Sequence, residues 1–136
     1  MKISAKYLSI FSLLLIAVVS YSQTTNTVVK AKIEIEQTEN NFKVTGTAEN
    51  LTEIVQSLSY KLSVIKNNNI NNNHSDNIQE GFFSLNPREN KNLSVSEINL
   101  SNGDEVIVLL LFYNENKQLI GKDRVVLGDQ KKKMKL

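Results

Sequence analysis

One stretch of this 136-residue chain gathers the side-chain types of nucleophilic catalysis, His74-Ser75-Asp76. The chemistry would be a serine hydroxyl activated by an imidazole that a carboxylate orients, and it requires three groups converging from a rigid frame. Consecutive residues inside an asparagine-rich run do not supply that frame, and the run reads as a solvated loop. His74 is the only histidine and there is no cysteine. A His-rich or Cys-based zinc site, a thiol nucleophile, a disulfide and a lipidated cysteine are therefore all excluded. Asn73, Asp76 and Asn77 offer the oxygen donors that calcium prefers, but the glycine and glutamate of an EF-hand loop do not fall in register with them. Asp104 and Glu105 are neighbours, so a strand sends them to opposite faces and away from acid/base partnership. Gly121-Lys122-Asp123 lacks the upstream glycine of a phosphate loop and leads into no helix. With no convergent acid, base or nucleophile, the reading is a non-enzymatic protein with no cofactor and no metal. What remains is aromatic: a strand would turn Phe82 and Phe83 to opposite faces, leaving one of the pair as a candidate for contact.

The elements that would carry these residues are strands. Val29, Ala31, Ile33 and Ile35 alternate with Lys30, Lys32, Glu34 and Glu36, the period-two signature of a half-buried strand. After Glu39-Asn40-Asn41, the residues Phe42, Val44, Gly46 and Ala48 repeat the pattern, which makes a hairpin. Leu58, Tyr60, Leu62 and Val64 form a third strand. Residues 67–77 hold seven asparagines in eleven positions and read as a loop, because Asn tolerates left-handed backbone and bonds its own main chain. Ile78 to Leu85 is a fourth strand, Leu93 to Ile98 a weaker fifth, and Glu105 to Tyr113 the most apolar of all, hence central with both neighbours paired. Gln118 to Leu127 is the seventh. Asn50 to Gln56 is the one place where a single helical turn, capped by Asn50 or Thr52, is expected. Seven strands in about 110 residues predict an all-β fold, an immunoglobulin-like antiparallel β-sandwich.

The two ends differ from the body. Residues 1–22 carry Lys2 and Lys6, an apolar run from Tyr7 to Val19 and the small-x-small triplet Ser20-Tyr21-Ser22. This is the pattern of a signal peptide, with Gln23 as the new N-terminus. The sandwich domain is then 23–128 and a basic tail 129–136. The longest later apolar run, Val106 to Tyr113, is too short to cross a bilayer, so no stable membrane insertion is expected. Residues 23–128 carry 10 basic and 13 acidic side chains, so the body has no nucleic-acid footprint. The expected destination is the periplasm or the cell surface.

Tyr60-Lys61-Leu62-Ser63-Val64, an Asn/Ser loop, then Gln79-Glu80-Gly81-Phe82-Phe83-Ser84-Leu85-Asn86-Pro87, and the close Phe112-Tyr113, turn, Leu119-Ile120-Gly121 together resemble the CsgH family of curli-system proteins. The resemblance spans roughly Leu58 to Leu127. It implies a small exported β-sandwich chaperone that inhibits premature polymerisation of curli subunits by transient binding. Gln79, Gly81 and Phe83 match the family's Gln-x-Gly-x-aromatic element. They are the implied binding residues: an amide for an Asn/Gln ladder, a close backbone approach and a ring for stacking. The loop before Gln79 is Asn-rich where the family is Gly-rich, and the turn at Pro87 lacks glycine. The implied partners are curli-type amyloid subunits, met by a monomer. The alternative is an immunoglobulin-like surface module for adhesion or for binding carbohydrate or protein, or a minor fibre component. Seven complete strands and no repeat speak against a fibre subunit.

Overall fold

A computed structural model describes residues 24–39 and 41–128. The expected signal peptide and the basic tail lie outside them. Seven strands follow in chain order: β1 (Val29–Gln37), β2 (Asn41–Asn50), β3 (Gln56–Asn68), β4 (His74–Leu85), β5 (Asn90–Asn99), β6 (Asp104–Tyr113) and β7 (Leu119–Leu127). They form two antiparallel sheets, ordered β1-β2-β5 and β4-β3-β6-β7. The all-β sandwich expected from the sequence is the fold observed. β4 stays beside β3 through a tight hairpin, whereas the constant-type immunoglobulin order would send it across to the other sheet.

Alternation dictates the interior. On β6 the residues Val106, Val108, Leu110 and Phe112 are buried, while Glu105, Ile107, Leu109, Leu111 and Tyr113 stay half-exposed on the other face. β6 lies between β3 and β7, as its apolarity predicts. Val29, Ala31 and Ile33 of β1, Val44 and Ala48 of β2, and Leu58, Leu62 and Val64 of β3 complete most of the core. Each such side chain gains about 1.5–3 kcal/mol from leaving water when its full apolar surface is covered, less for alanine.

The asparagine-rich segment differs from expectation. It is mostly ladder: Asn67 pairs with His74, Lys66 with Ser75 and Ile65 with Asp76. His74-Ser75-Asp76 therefore opens β4 and is no loop. Asn68 explains the tight reversal. Its buried side-chain oxygen accepts the N–H groups of Ile70 (2.8 Å) and Asn71 (3.1 Å), and its main-chain N–H reaches the Asn73 carbonyl at 2.8 Å. Asn72 takes φ +59°. An asparagine that substitutes for turn hydrogen bonds lets the strands run to within a few residues of the bend. The expected helical turn after Asn50 is likewise absent. The segment is an irregular bend organised around the buried Asn50 side chain.

Asp104 anchors the start of β6. Its carboxylate accepts from Asn68 Nδ2 at 2.7 Å and from the Ser101 N–H at 2.7 Å, and Lys66 Nζ stands 3.3 Å away. Burial alone pushes this carboxyl up, but the Ser101 N–H, the Asn68 amide and the Lys66 ammonium outweigh it and hold the pKa below the ordinary carboxylate value. A depressed folded-state pKa contributes stability that is fully present above the unfolded value of about 3.9 and is lost as pH falls through the folded one. Urea midpoints are therefore expected to decline more steeply below about pH 4 in the native chain than in Asp104→Asn. Parallel pH profiles for the two proteins would contradict this.

Candidate interaction site at the edge of the four-stranded sheet

The two flanks of the sandwich are built differently. On the β1/β7 flank, side chains stitch the sheets together. Asn26, at φ +62°, accepts the N–H groups of Ala31 and Lys122 at 3.1 Å each and donates to the Lys122 carbonyl at 2.9 Å. Its own N–H reaches the Ile120 carbonyl at 2.8 Å. Asp123 Oδ2 accepts the Ile33 N–H at 2.7 Å. Two N–H groups of β1 and three main-chain groups of β7 are thereby occupied, which blunts both edges.

The β4/β5 flank is open. β4 pairs with β3 only. Lys91 Nζ approaches from β5 and donates to the Ser84 carbonyl at 2.9 Å, so the main chain of Ser84 points away from β3. Strand alternation turns the main-chain groups of Phe82 and Glu80 the same way. A groove of about 1380 Å³ runs along this edge, between Lys91 to Leu93 of β5 and the Tyr113 to Lys117 turn. It exceeds the roughly 300–1,000 Å³ of a drug-sized pocket. Phe82 stands in it with 93% of its surface exposed.

Gln79, Gly81 and Phe83 share the opposite, inner face of β4. The Gln79 amide spans the seam to the other sheet, donating to Ser96 Oγ at 2.9 Å and accepting from Ser94 Oγ. Both ends are engaged inside the sandwich, so the amide is not presented for a ladder with another chain. Gly81 lies beneath Tyr60: a Cβ there would come within 2.9 Å of the ring. Phe83 is half-buried, edge-on to Tyr60 at 6.1 Å and tilted against Phe112 at 5.2 Å. The strand brings the three together, but as the support of the edge. The exposed member of the aromatic pair is Phe82. Leu85, fully buried, shares its parity with Phe83, Gly81 and Gln79.

At the far end of β4, His74 contacts Asn67 Oδ1 through Nδ1 and Asp76 Oδ1 through Nε2 at 3.0 Å, all exposed or half-exposed. Ser75 enters no such arrangement, and among the described residues no three His, Cys, Asp or Glu side chains gather as a metal site.

Neither a protein-family model nor a curated protein sequence matches the chain. Solved structures do. The E. coli curli protein CsgC superposes with a TM-score of 0.58 at 11% identity, over 71% of this chain and 96% of its own. The chain has the CsgC/CsgH fold. CsgH of R. palustris matches with a TM-score of 0.52 at 17% identity, over 69% of this chain and 89% of its own. A Bacteroides uniformis beta-glucuronidase gives 0.53 at 11% identity, over 74% of this chain but only 14% of that enzyme. The CsgC/CsgH fold accounts for nearly the whole of the first two proteins and for one small part of the third. A sandwich also found inside a glycosidase does not by itself fix a function.

Proposed function

We propose that this chain is an exported chaperone of a curli-type functional-amyloid system, delivered by the leader at 1–22, and that it delays polymerisation of curli subunits by transient binding along β4. The observation that carries the reading is the unpaired β4 edge with Phe82 projecting into its groove, set on a fold shared with a curli protein. An extended client segment can add main-chain hydrogen bonds to such an edge while Phe82 covers an apolar side chain. On a growing cross-β end the same contact obstructs the next subunit. Gln79, Gly81 and Phe83 act here from behind, fixing the strand against the core so that the edge is presented straight. Exposed Lys30, Lys32, Glu34 and Glu36 on β1 keep the chaperone itself from stacking.

The test is a dye-monitored fibrillation assay with a curli-type subunit. Because fibre ends are far rarer than monomers, about one chaperone per ten subunits is expected to lengthen the lag. Phe82→Ala removes the ring and is expected to retain part of the effect. Phe82→Pro also removes an edge N–H, a change an edge strand tolerates, and is expected to abolish it while the circular dichroism stays native. An unchanged lag with the native chain rejects the chaperone reading, and full inhibition by folded Phe82→Pro rejects β4 as the surface.

A further inference from the structure

The outer face of the four-stranded sheet is a second surface, which adjoins the β4 edge and shares Phe82, Glu80, Lys61, Ser59 and Tyr113 with the lining of its groove. Directly paired residues of antiparallel strands share a face, so the register defines its rows. One row runs Ile78, Ser63, Leu109, Arg124; the next Glu80, Lys61, Leu111, Lys122; the next Phe82, Ser59, Tyr113, Leu119. The three-stranded sheet covers the other side of these strands, and among the described residues no strand lies over this one. β6 raises a ridge of Ile107, Leu109, Leu111 and Tyr113, and beside it the β3 line reads Ser59, Lys61, Ser63, Ile65, low at the two serines that lie beside Tyr113 and Leu109 and raised at Ile65 beside Ile107. Ile78 (53% exposed) and Phe82 flank these serines on β4. An apolar ridge flanked by exposed Ile78 and Phe82 and bordered by charged residues has the make-up of an interaction face.

We propose that this face binds a second copy of the chain, forming a two-fold dimer of sandwiches through the outer faces of the β4-β3-β6-β7 sheets. The argument is self-complementarity. A two-fold axis parallel to the strands places β6 of one copy over β3 of the other, and β4 over β7. The ridge then enters the low points of that line: Leu109 meets the partner copy's serine row and Tyr113 does the same one row on. Leu111 lies on the aliphatic stem of Lys61, whose charged end has Glu80 beside it on its own sheet. At the borders, Glu80 on β4 comes opposite Lys122 on β7, and symmetry makes two such pairs. An axis perpendicular to the strands would instead set ridge on ridge and bring the Lys122 and Arg124 cations of the two copies together. The aligned arrangement also matches the ordinary packing of two twisted sheets.

The size sets the strength. Four strands about 4.8 Å apart, overlapping for the ten residues of β6 at about 3.3 Å each, present roughly 600 Å² per copy. About 1,200 Å² in total stands at the lower limit of a standard interface, so the dimer is expected to form at micromolar concentrations and above, in place of the monomer that the sequence led one to expect. The main-chain groups along the β4 edge stay open in this dimer while Phe82 is shared between the two surfaces, and sedimentation of the chain alone reads the dimer without any client, so its failure and that of the proposed function are distinguishable.

Sedimentation velocity on the purified exported chain, from about 1 µM to about 300 µM, decides the matter. The native chain is expected to shift from monomer to dimer across this range. Glu80→Lys and Lys122→Glu are each expected to weaken the dimer about tenfold, and the double exchange to restore it. Leu109→Arg is expected to abolish it, with circular dichroism confirming the fold. Should Leu109→Arg fail to fold, the charge-exchange series still decides. A chain that stays monomeric at the highest concentration overturns the proposal, as does a dimer indifferent to the charge exchange. A monomer whose Leu109→Arg variant loses its hold on a curli-type subunit would assign the face to that client and equally overturn it.

Discussion

Phe112→Ala is expected to destabilise the domain by about 4–5 kcal/mol, at the top of the range for a buried phenylalanine. Phe112 is fully buried at the end of β6 and stacks at 5.2 Å on Phe83, which in turn meets Tyr60. The aromatic contact adds about 0.5–1.5 kcal/mol to the transfer and cavity terms. Directly across the ladder stands Gly121, where a Cβ would come within 2.8 Å of the Phe112 ring and 3.1 Å of the Val29 carbonyl. A glycine has no side chain to fall into the vacated space, so the cavity persists. Of the 5–15 kcal/mol typical of a domain, this is a large share. Urea titration checks it: the midpoint should drop while the slope stays constant. A loss below about 1 kcal/mol would show that the site collapses and the reasoning fails. The β4 edge rests on Phe83, so amide exchange at Gly81 and Phe83, whose N–H groups face β3, should also accelerate.

Asn50 carries the second large effect, and its sign distinguishes two substitutions. The side chain is fully buried; Nδ2 donates to the carbonyls of Ile54 (2.8 Å) and Asn86 (3.0 Å) and, more weakly, Leu85 (3.4 Å). Oδ1 accepts from the Thr52 N–H at 2.9 Å and its hydroxyl at 2.7 Å. One amide thus ties the end of β2 to the bend after it and to the end of β4. Asn50→Ala strands these groups and is expected to cost about 2–4 kcal/mol. Asn50→Asp keeps the shape but turns a carboxylate toward carbonyl oxygens. Its folded-state pKa would rise above the unfolded value, so the penalty is greatest near neutral pH and shrinks as the medium is acidified toward that raised pKa. Near pH 7 the aspartate variant should be less stable than the alanine variant, with the gap closing below about pH 5. A constant gap would contradict the donor assignment.

How much of this was legible in the residues depends on the range of the interaction. Period-two alternation is local, so Val29 to Ile35 declared both strand and faces, while the unbroken apolar run Glu105 to Tyr113 declared a central strand without its faces, and the sandwich followed from the strand count. The asparagine tract misled because composition describes preference over a window, while the hairpin is settled by one residue: Asn68, whose side chain closes the turn and also meets Asp104, 36 positions away. Likewise Asn50 looked like a helix cap because capping is a local role; it does hold its neighbours Thr52 and Ile54, but it also donates to the carbonyls of Leu85 and Asn86 at the end of β4, which local pattern does not show. At the candidate site the fourth strand and its aromatic pair were visible, and the family resemblance directed attention to Gln79, Gly81 and Phe83. Which of Phe82 and Phe83 faces water depends on the partner strand: Leu58 opposite Phe83 is core, and Ser59 opposite Phe82 is not. No pattern in β4 itself announces that Gln79 is occupied by Ser94 and Ser96.

The stitched flank has a consequence best put in the language of step-growth polymers. A unit that propagates a chain must be bifunctional, with one reactive side to join the end and another to receive the next unit. Asn26 and Asp123 occupy main-chain groups on the β1/β7 side and β4 leaves the other side available, so under the proposed function a single sandwich would have a functionality of one. Among bifunctional monomers a monofunctional one is a stopper: it can be added to an end, and nothing can be added to it. Opening the second side, by replacing Asn26 and Asp123 with side chains that free the main chain they hold, would convert a stopper into a link.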